Sequence, residues 1–379
     1  MQLQKVSIIG NRAYPHNFIG TSGIEVYTEN IVTFFPKSVK VLMYVKSSYQ
    51  STFASQTQEQ NIQIKPITTI KSKVFESVMY SFFSSVLAAF DQSSVVWYHG
   101  VGQAMFAFFP RILGKKVILT VHGEDWKRSK WSKIEQLLFT LLAQWVFMIP
   151  PHKTFVVARQ LQKKILLDFS ILSTVAYPGI TKNTPKKYTA AIGSIEKKLG
   201  ITQDQYLLYL GRIVPEKRLE LLIDTFIKLS ESYPKFKLVI AGGHGNLPEY
   251  ETSITKRIEN SSIIMPGYIF GYDKAKLLQH AKALIVPSEI EGNSVSVMEA
   301  LSLGKQVLIA QNCLENSFYG VSGIFTFRNG TDFHSQMEKI LKTKTQTVVL
   351  PKSIYQNYSW ERTANSYLKE ILRVIHDTI

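Results

Sequence analysis

In this 379-residue chain, the carboxylates and cations whose spacing suits chemistry gather in two short stretches of the second half. In Pro287-Ser288-Glu289-Ile290-Glu291-Gly292-Asn293-Ser294-Val295, the apolar run Ala283–Val286 feeds a polar turn, and a helix is expected to begin near Asn293 or Ser294. The first N–H groups of a helix lack intrahelical partners and lie at the positive end of its dipole, so they suit phosphate or sugar oxygens. Glu291 falls in the turn and Glu299 inside the helix. Eight steps of about 1.5 Å set them roughly 12 Å apart. One carboxylate could then meet a sugar and the other a ribose of the same nucleotide-sugar. The plain alternative has Glu291 capping the helix and Glu299 on the surface.

The second stretch is Leu210-Gly211-Arg212-Ile213-Val214-Pro215-Glu216-Lys217-Arg218. A buried strand ends at Gly211, and Arg212 and Lys217 follow in the loop before a helix. Arg offers a planar fork to phosphate oxygens and Lys a mobile point charge. Together they could neutralise a departing diphosphate without a metal. The alternative is a solvated basic turn in which Glu216 pairs locally. In the first half, Val117–Val121 ends in His122 and Val95–Tyr98 ends in His99, both at strand carboxyl edges. A structural role is the competing reading, more so for His99. Gly20-Thr21-Ser22-Gly23 precedes a helix without forming a dinucleotide fingerprint. Its glycines permit close backbone approach to a ligand, or mark an ordinary loop.

Positioning these residues requires alternating strands and helices. Apolar strands are expected at Val6–Ile9, Val39–Tyr44, Val95–Tyr98, Val117–Val121 and Thr154–Val157. In the second half they are expected at Tyr206–Leu210, Lys237–Ala241, Ile263–Met265, Ala283–Val286 and Gln306–Ile309. Amphipathic segments lie between them: Ile24–Phe35, Val74–Phe90, Ile134–Phe147, Leu219–Ser230, Tyr250–Glu259, Asp273–His280 and Val295–Leu303. This rhythm predicts α/β architecture with parallel sheets. The polar, basic stretch around Thr181–Lys187 breaks it. The expected division is a first doubly wound domain over 1–181, a linker over 182–203 and a second domain over 204–357. Ligand is expected in an inter-domain cleft, at strand carboxyl ends.

The chain carries 44 Lys+Arg against 28 Asp+Glu, a formal net charge of +16. Residues 1–200 hold 24 of the cations and 10 of the acids, so the basic character is read as a property of the first half. A composition that is 45% hydrophobic and 19% charged excludes a mostly disordered chain. The single cysteine, Cys313, excludes an intramolecular disulfide framework and a Cys-based zinc site. None of the eight aspartates forms an Asp-x-Asp pair, and there is no Walker loop. The N-terminus reads as a strand and not as a signal peptide. The longest apolar stretch, Leu137 to Ile149, is 13 residues against the roughly 20 a spanning helix needs. It reads as a buried helix or, preceded by Lys127, Arg128, Lys130, Trp131 and Lys133, as an interfacial one.

Taken in order, Gly211-Arg212…Pro215-Glu216-Lys217 and Glu291-Gly292…Glu299-Ala300…Gly304 resemble the two signatures of family 4 retaining glycosyltransferases. Val239–Gly243 and Met265-Pro266-Gly267-Tyr268-Ile269 are similar to segments between and around them, and Tyr358–Arg362 to the start of the final helix. The resemblance implies the GT-B fold, two Rossmann-like domains facing one cleft, with a helix over 358–379 crossing back to the first. It implies that Arg212 and Lys217 hold the donor diphosphate, that Glu299 binds ribose hydroxyls, and that Glu291 contacts the transferred sugar. Backbone groups at Asn293, Ser294, Val295, Gly267, Gly20 and Gly23 would complete the donor site. His122 would line it beside the sugar, and His99, Asp125 and Arg128 are acceptor-side candidates. Asn293-Ser294 departs from the Phe-Gly common there; both are good capping residues, so the turn should survive.

The expected activity is retaining transfer of a hexose-type sugar from a UDP- or GDP-sugar to a hydroxyl of a glycan or lipid-linked acceptor. This would serve cell-surface polysaccharide or glycolipid synthesis. No metal or cofactor is expected, and no nucleic acid. An anionic membrane surface is a further partner, and the expected location is cytoplasmic or peripheral at the inner face of the cell membrane. A nucleotide-sugar epimerase, a sugar phosphorylase and a basic nucleic-acid-binding protein are the alternatives.

Overall fold

The computed structural model describes residues 4–15, 23–49, 61–70, 72, 75–127, 132–149, 151–180, 194–243 and 247–376. The chain divides into two compact units, Met1–Gly179 with Tyr358–Ile379, and Ile180–Asn357.

The first unit holds strands β1 (Gln4–Ile9), β2 (Val39–Lys46), β3 (Ile62–Ile67), β4 (Val95–His99), β5 (Lys116–Val121), β6 (Lys153–Val156) and β7 (Thr174–Val175). All pairings are parallel, in the order β3-β2-β1-β4-β5-β6-β7. Its helices up to that point are α1 (Gly23–Val32), α2 (Phe75–Phe90), α3 (Phe108–Ile112), α4 (Lys133–Met148) and α5 (Arg159–Phe169). The strand order reverses between β1 and β4, so right-handed crossovers set α1 on one face of the sheet and α2 to α5 on the other. Every residue of β4 is buried, as a strand covered by helices on both faces must be.

The second unit holds α6 (Ser194–Leu199), β8 (Tyr206–Leu210), α7 (Leu219–Ser230), β9 (Lys237–Ala241), α8 (Pro248–Arg257), β10 (Ile263–Gly267) and α9 (Gly271–His280). After them come β11 (Ala283–Val286), α10 (Val295–Ser302), β12 (Gln306–Ala310), β13 (Ile324–Phe327), α11 (Gly330–Lys342) and α12 (Lys352–Asn357). Its parallel sheet runs β10-β9-β8-β11-β12-β13 and reverses between β8 and β11. The chain then returns to the first unit as α13 (Trp360–His376). There the Tyr367 hydroxyl lies 2.7 Å from Thr120 Oγ1 and 3.1 Å from the Tyr27 hydroxyl. A Cβ on Gly179 would come within 2.4 Å of the Trp360 backbone nitrogen, so only glycine fits at that crossing.

Three strands escaped the sequence reading, and all three are sheet edges: β3, β7 and β13. An edge strand pairs on one side only, so it lacks the continuous apolar run of a central one; β3 even carries Pro66, tolerated at an edge.

Two expectations need correction. The linker does not extend to 203: Ile195 and Ile201 are buried, and Glu196 of α6 pairs with Lys276 at 3.0 Å and with His280 at 2.6 Å, both on α9. Residues 181–193 lie outside the described residues. The basic charge is also less one-sided than a cut at residue 200 suggests. By structural unit the balance is 22 Lys+Arg against 12 Asp+Glu in the first and 22 against 16 in the second.

Candidate functional site

In the second unit, the loops leaving β8 and β11 carry most of the side chains singled out above. These two strands are neighbours at the reversal of strand order. Open α/β sheets bind ligands at such points because adjacent loops diverge there and leave a crevice.

The backbone at this edge is tightly drawn. The Gly211 N–H donates to Ala241 O at 3.1 Å and the Gly242 N–H to Gly267 O at 2.9 Å. A Cβ on Gly242, whose φ is +153°, would lie 1.7 Å from Gly211 O. Glycine is therefore required where the ends of β8 and β9 meet. After Val214 the chain makes a single 3-10 turn, Pro215–Lys217, and Arg218 follows in the left-handed region at φ 51°.

That turn brings Lys217 to Glu291, with Nζ 2.5 Å from Oε1. The same carboxylate oxygen accepts from Ser288 Oγ at 2.7 Å. The Glu289 N–H donates to Glu216 O at 3.1 Å, so backbone and side chains both tie the two loops together. The pair is largely withdrawn from water, its side chains 16% and 11% exposed. Removing either partner would strand a poorly solvated charge. The Arg212 guanidinium lies 3.7 Å from the buried Glu216 carboxylate, and Arg212 O accepts from the buried Tyr209 hydroxyl at 2.7 Å. Burial, then the nearby Glu291 charge, hold that phenol well above its ordinary pKa.

Glu291 is not a helix cap. Ser294 occupies the N-cap of α10 in extended conformation, without a side-chain capping bond. Its hydroxyl instead lies 2.9 Å from Ser296 Oγ. Glu299, one turn from the end of α10, receives a hydrogen bond from Lys274 of α9 at 2.6 Å, while its Oε2 is buried without a hydrogen-bond partner. Gly267, at the end of β10, has a φ of +78°.

The first unit assembles a different environment. His122 follows β5, and His99 ends β4 with its Nδ1 2.9 Å from His122 Nε2. His99 is 0% exposed. It is thus not an acceptor-side cleft residue, because the fourth strand of a seven-stranded sheet is sealed on both faces. Burial, and secondarily the neighbouring His122, push its pKa well below the ordinary histidine value, keeping it neutral. Thr28 Oγ1 donates to Ile24 O at 2.9 Å and lies 3.4 Å from His99 Nε2. The Tyr27 ring stands edge-on to His122, centroids 5.0 Å apart.

The structure therefore brings Lys217 and Glu291 together, with Arg212 on the same loop as Lys217, and sets His122 against His99. Gly23 is the first residue of α1. Asp125 begins a 3-10 turn, Asp125–Lys127, and Gly20 and Arg128 lie outside the described residues. Trp126 is 2% exposed and packs on Phe169, so it does not face a membrane. Sequence reasoning missed Ser288, Lys274, Tyr27 and Thr28. Their types are ordinary and only the turn of the chain brings them to the site. Among the described residues no three His, Cys, Asp or Glu side chains cluster as a metal would require. No helix among them is long and apolar enough to cross a membrane.

Residues 192–347 match the family model for glycosyl transferases group 1. Over 196 residues the chain is 26% identical to the lipopolysaccharide 1,2-N-acetylglucosaminetransferase of Salmonella typhimurium, covering 47% of this chain and 51% of that one. Over 185 residues it is 24% identical to the alpha-monoglucosyldiacylglycerol synthase of Acholeplasma laidlawii, covering 47% and 46%. The chain spans about half the length of the curated relatives it matches. The fold is similar to that of Anabaena HepE in complex with UDP-glucose, with a TM-score of 0.74 at 14% identity over 98% of this chain and 99% of that one. By these comparisons residues 192–347 are similar to the group 1 glycosyl transferases, and the chain has the GT-B fold.

Proposed function

We propose that the chain is a retaining, metal-independent glycosyltransferase of the family 4 type, moving a hexose-type sugar from a UDP- or GDP-sugar to a hydroxyl of a glycan or lipid-linked acceptor. The observation that carries this reading is the Lys217–Glu291 pair, which closes the β8 and β11 loops on each other at 2.5 Å. A diphosphate entering there competes with Glu291 for Lys217. The exchange places a cation and the Arg212 fork on the leaving group and releases a carboxylate to sugar hydroxyls. Charge that develops on the departing diphosphate is then met by groups already in position. The buried, unpartnered Oε2 of Glu299 is a deficit that a ribose hydroxyl would fill. In the first unit, His122 with its support from His99 is the candidate for contact with the sugar or its acceptor. In the retaining course that the family resemblance implies, attack and departure share one face of the sugar through an oxocarbenium-like transition state.

Two relatives support the acceptor class by their names: one acts on lipopolysaccharide and one makes a diacylglycerol glycolipid. The test is nucleotide release from a panel of UDP-, GDP- and ADP-sugars, with and without EDTA, together with the anomeric configuration of the product. Turnover of one donor, insensitive to EDTA and with retained configuration, is expected. If no donor turns over and Lys217→Ala binds every nucleotide as the parent does, the reading fails.

A further inference from the structure

Among the described residues, every large hydrophobic side chain recorded as exposed lies in the first unit except Tyr319 and Val349. The concentration is greatest on α4. Ile134, Leu137, Leu138, Leu141, Trp145 and Met148 are 44% to 74% exposed. At 100° per residue they fall within an arc of about 100° on one side of the helix. The opposite side is apolar as well, with Ala143, Val146 and Phe147 buried against the core. A helix that is hydrophobic all round is ordinarily covered all round; here the structure covers only half of it.

The stripe does not stand alone. Phe108 on α3 packs edge-on to Trp145, the Trp145 N–H donates to Met105 O at 3.2 Å, and Phe82 of α2 meets Phe109 of α3 at 5.7 Å between centroids. The helices α2 to α5 share one face of the sheet, and each exposes large apolar groups there: Phe90 at 77%, Ile112 at 77% and Leu167 at 82%. Exposed apolar surface of this extent marks an interaction surface. Its charge identifies the occupant. Residues 101–170, which contain α3 to α5, hold eleven Lys+Arg against four Asp+Glu, +7 of the unit's +10. Lys133 and Lys163 are exposed on α4 and α5 themselves.

We infer that the α2–α5 face of the first unit docks on an anionic lipid bilayer, with the α4 stripe entering the headgroup boundary and the flanking cations held at the lipid phosphates. Apolar side chains provide the burial and the cations the selectivity for negative lipid. Docking is independent of the donor chemistry, so it is measured without any nucleotide-sugar.

The experiment is co-sedimentation of the full chain with vesicles of phosphatidylcholine alone or mixed with phosphatidylglycerol. Binding to the mixed vesicles should be stronger by about tenfold or more and should weaken as salt rises. The double variant Leu138→Glu/Leu141→Glu should lose that binding by at least about tenfold with an unchanged circular dichroism spectrum, since both positions are exposed. Brominated lipid should quench parent fluorescence and quench Trp145→Phe much less, a readout that needs no disruption of the stripe. Equal binding to both vesicle types, no binding to either, or a double variant that binds like the parent would overturn the inference. So would a double variant whose sedimentation equilibrium shifts from dimer to monomer while its vesicle binding is unchanged, which would make the face a contact between copies of this chain.

Discussion

The α4 helix of the first unit and the α7 helix of the second answer the same architectural need in opposite ways. Both connect neighbouring strands and cover one face of a parallel sheet. In α7, Leu219, Leu222, Ile223, Phe226 and Leu229 are buried and Asp224 is left to water, paired with Arg257 at 2.8 Å. Apolar residues on α7 stop where the core stops; on α4 they continue around the helix. The site chemistry divides along the same line. The second unit holds the groups of its proposed site as ion pairs, Lys217–Glu291 and Lys274–Glu299. The first keeps a histidine pair, its His99 buried, among Tyr27, Trp97 and Tyr367. A shared fold thus constrains the layers of each unit but not what their outer surfaces or loops meet.

The largest effects should come from the charged site. Lys217→Ala and Glu291→Ala should each lower kcat by about 100-fold or more while circular dichroism stays that of the parent; parental kinetics in both would remove the second unit's half of the contrast. Next come the two helices themselves. Leu222→Ala on α7 opens a cavity and should cost about 2–5 kcal/mol in denaturant unfolding. Leu138→Ser on α4, at a site 58% exposed, should change stability by no more than about 0.5 kcal/mol. Comparable losses would mean that the α4 stripe is covered within the folded monomer.

A smaller effect is expected at His99. His99→Phe keeps a ring but removes the nitrogen that His122 meets at 2.9 Å, and should lower kcat by about tenfold and shift its pH profile, with KM for the donor little changed. A purely structural role would leave the pH profile in place.

The smallest effect is on pH-dependent stability. His99 and His152 are both held below the ordinary histidine value near 6.5. For His152 the folded pKa is about 4, from burial first and then the Arg111 and Lys116 charges. Below pH 6.5 the unfolded chain binds protons that the folded chain refuses, so stability is full above 6.5 and is lost as pH falls toward 4. The thermal midpoint should fall between pH 7 and 5, and His152→Gln should flatten the slope. The change belongs to the first unit alone.

Central elements were legible in the amino-acid sequence because their periodicity records burial. β8, β9 and β11 begin and end where their apolar runs do, and α7 occupies its predicted span without adjustment. The places of Arg212, Lys217 and Glu291, the proposed donor-side residues, were legible for a related reason: they sit at short steps from a strand end, and strand ends can be read. The edge strands β3, β7 and β13 were not legible, since half-paired backbone makes weaker demands on side chains. Nor was the burial of His99, which depends on β4 being the middle strand of its sheet, a property of strand order that no local run of residues encodes. Spacing could mark Lys217 and Glu291 as separate candidates; only the pairing of β8 with β11 brings residues 74 positions apart to 2.5 Å. Likewise, the apolar run from Leu137 to Ile149 determined that α4 would be a hydrophobic helix. Which half of it meets the core and which half meets water was decided by tertiary packing, because one layer of sheet can cover only one side of a helix.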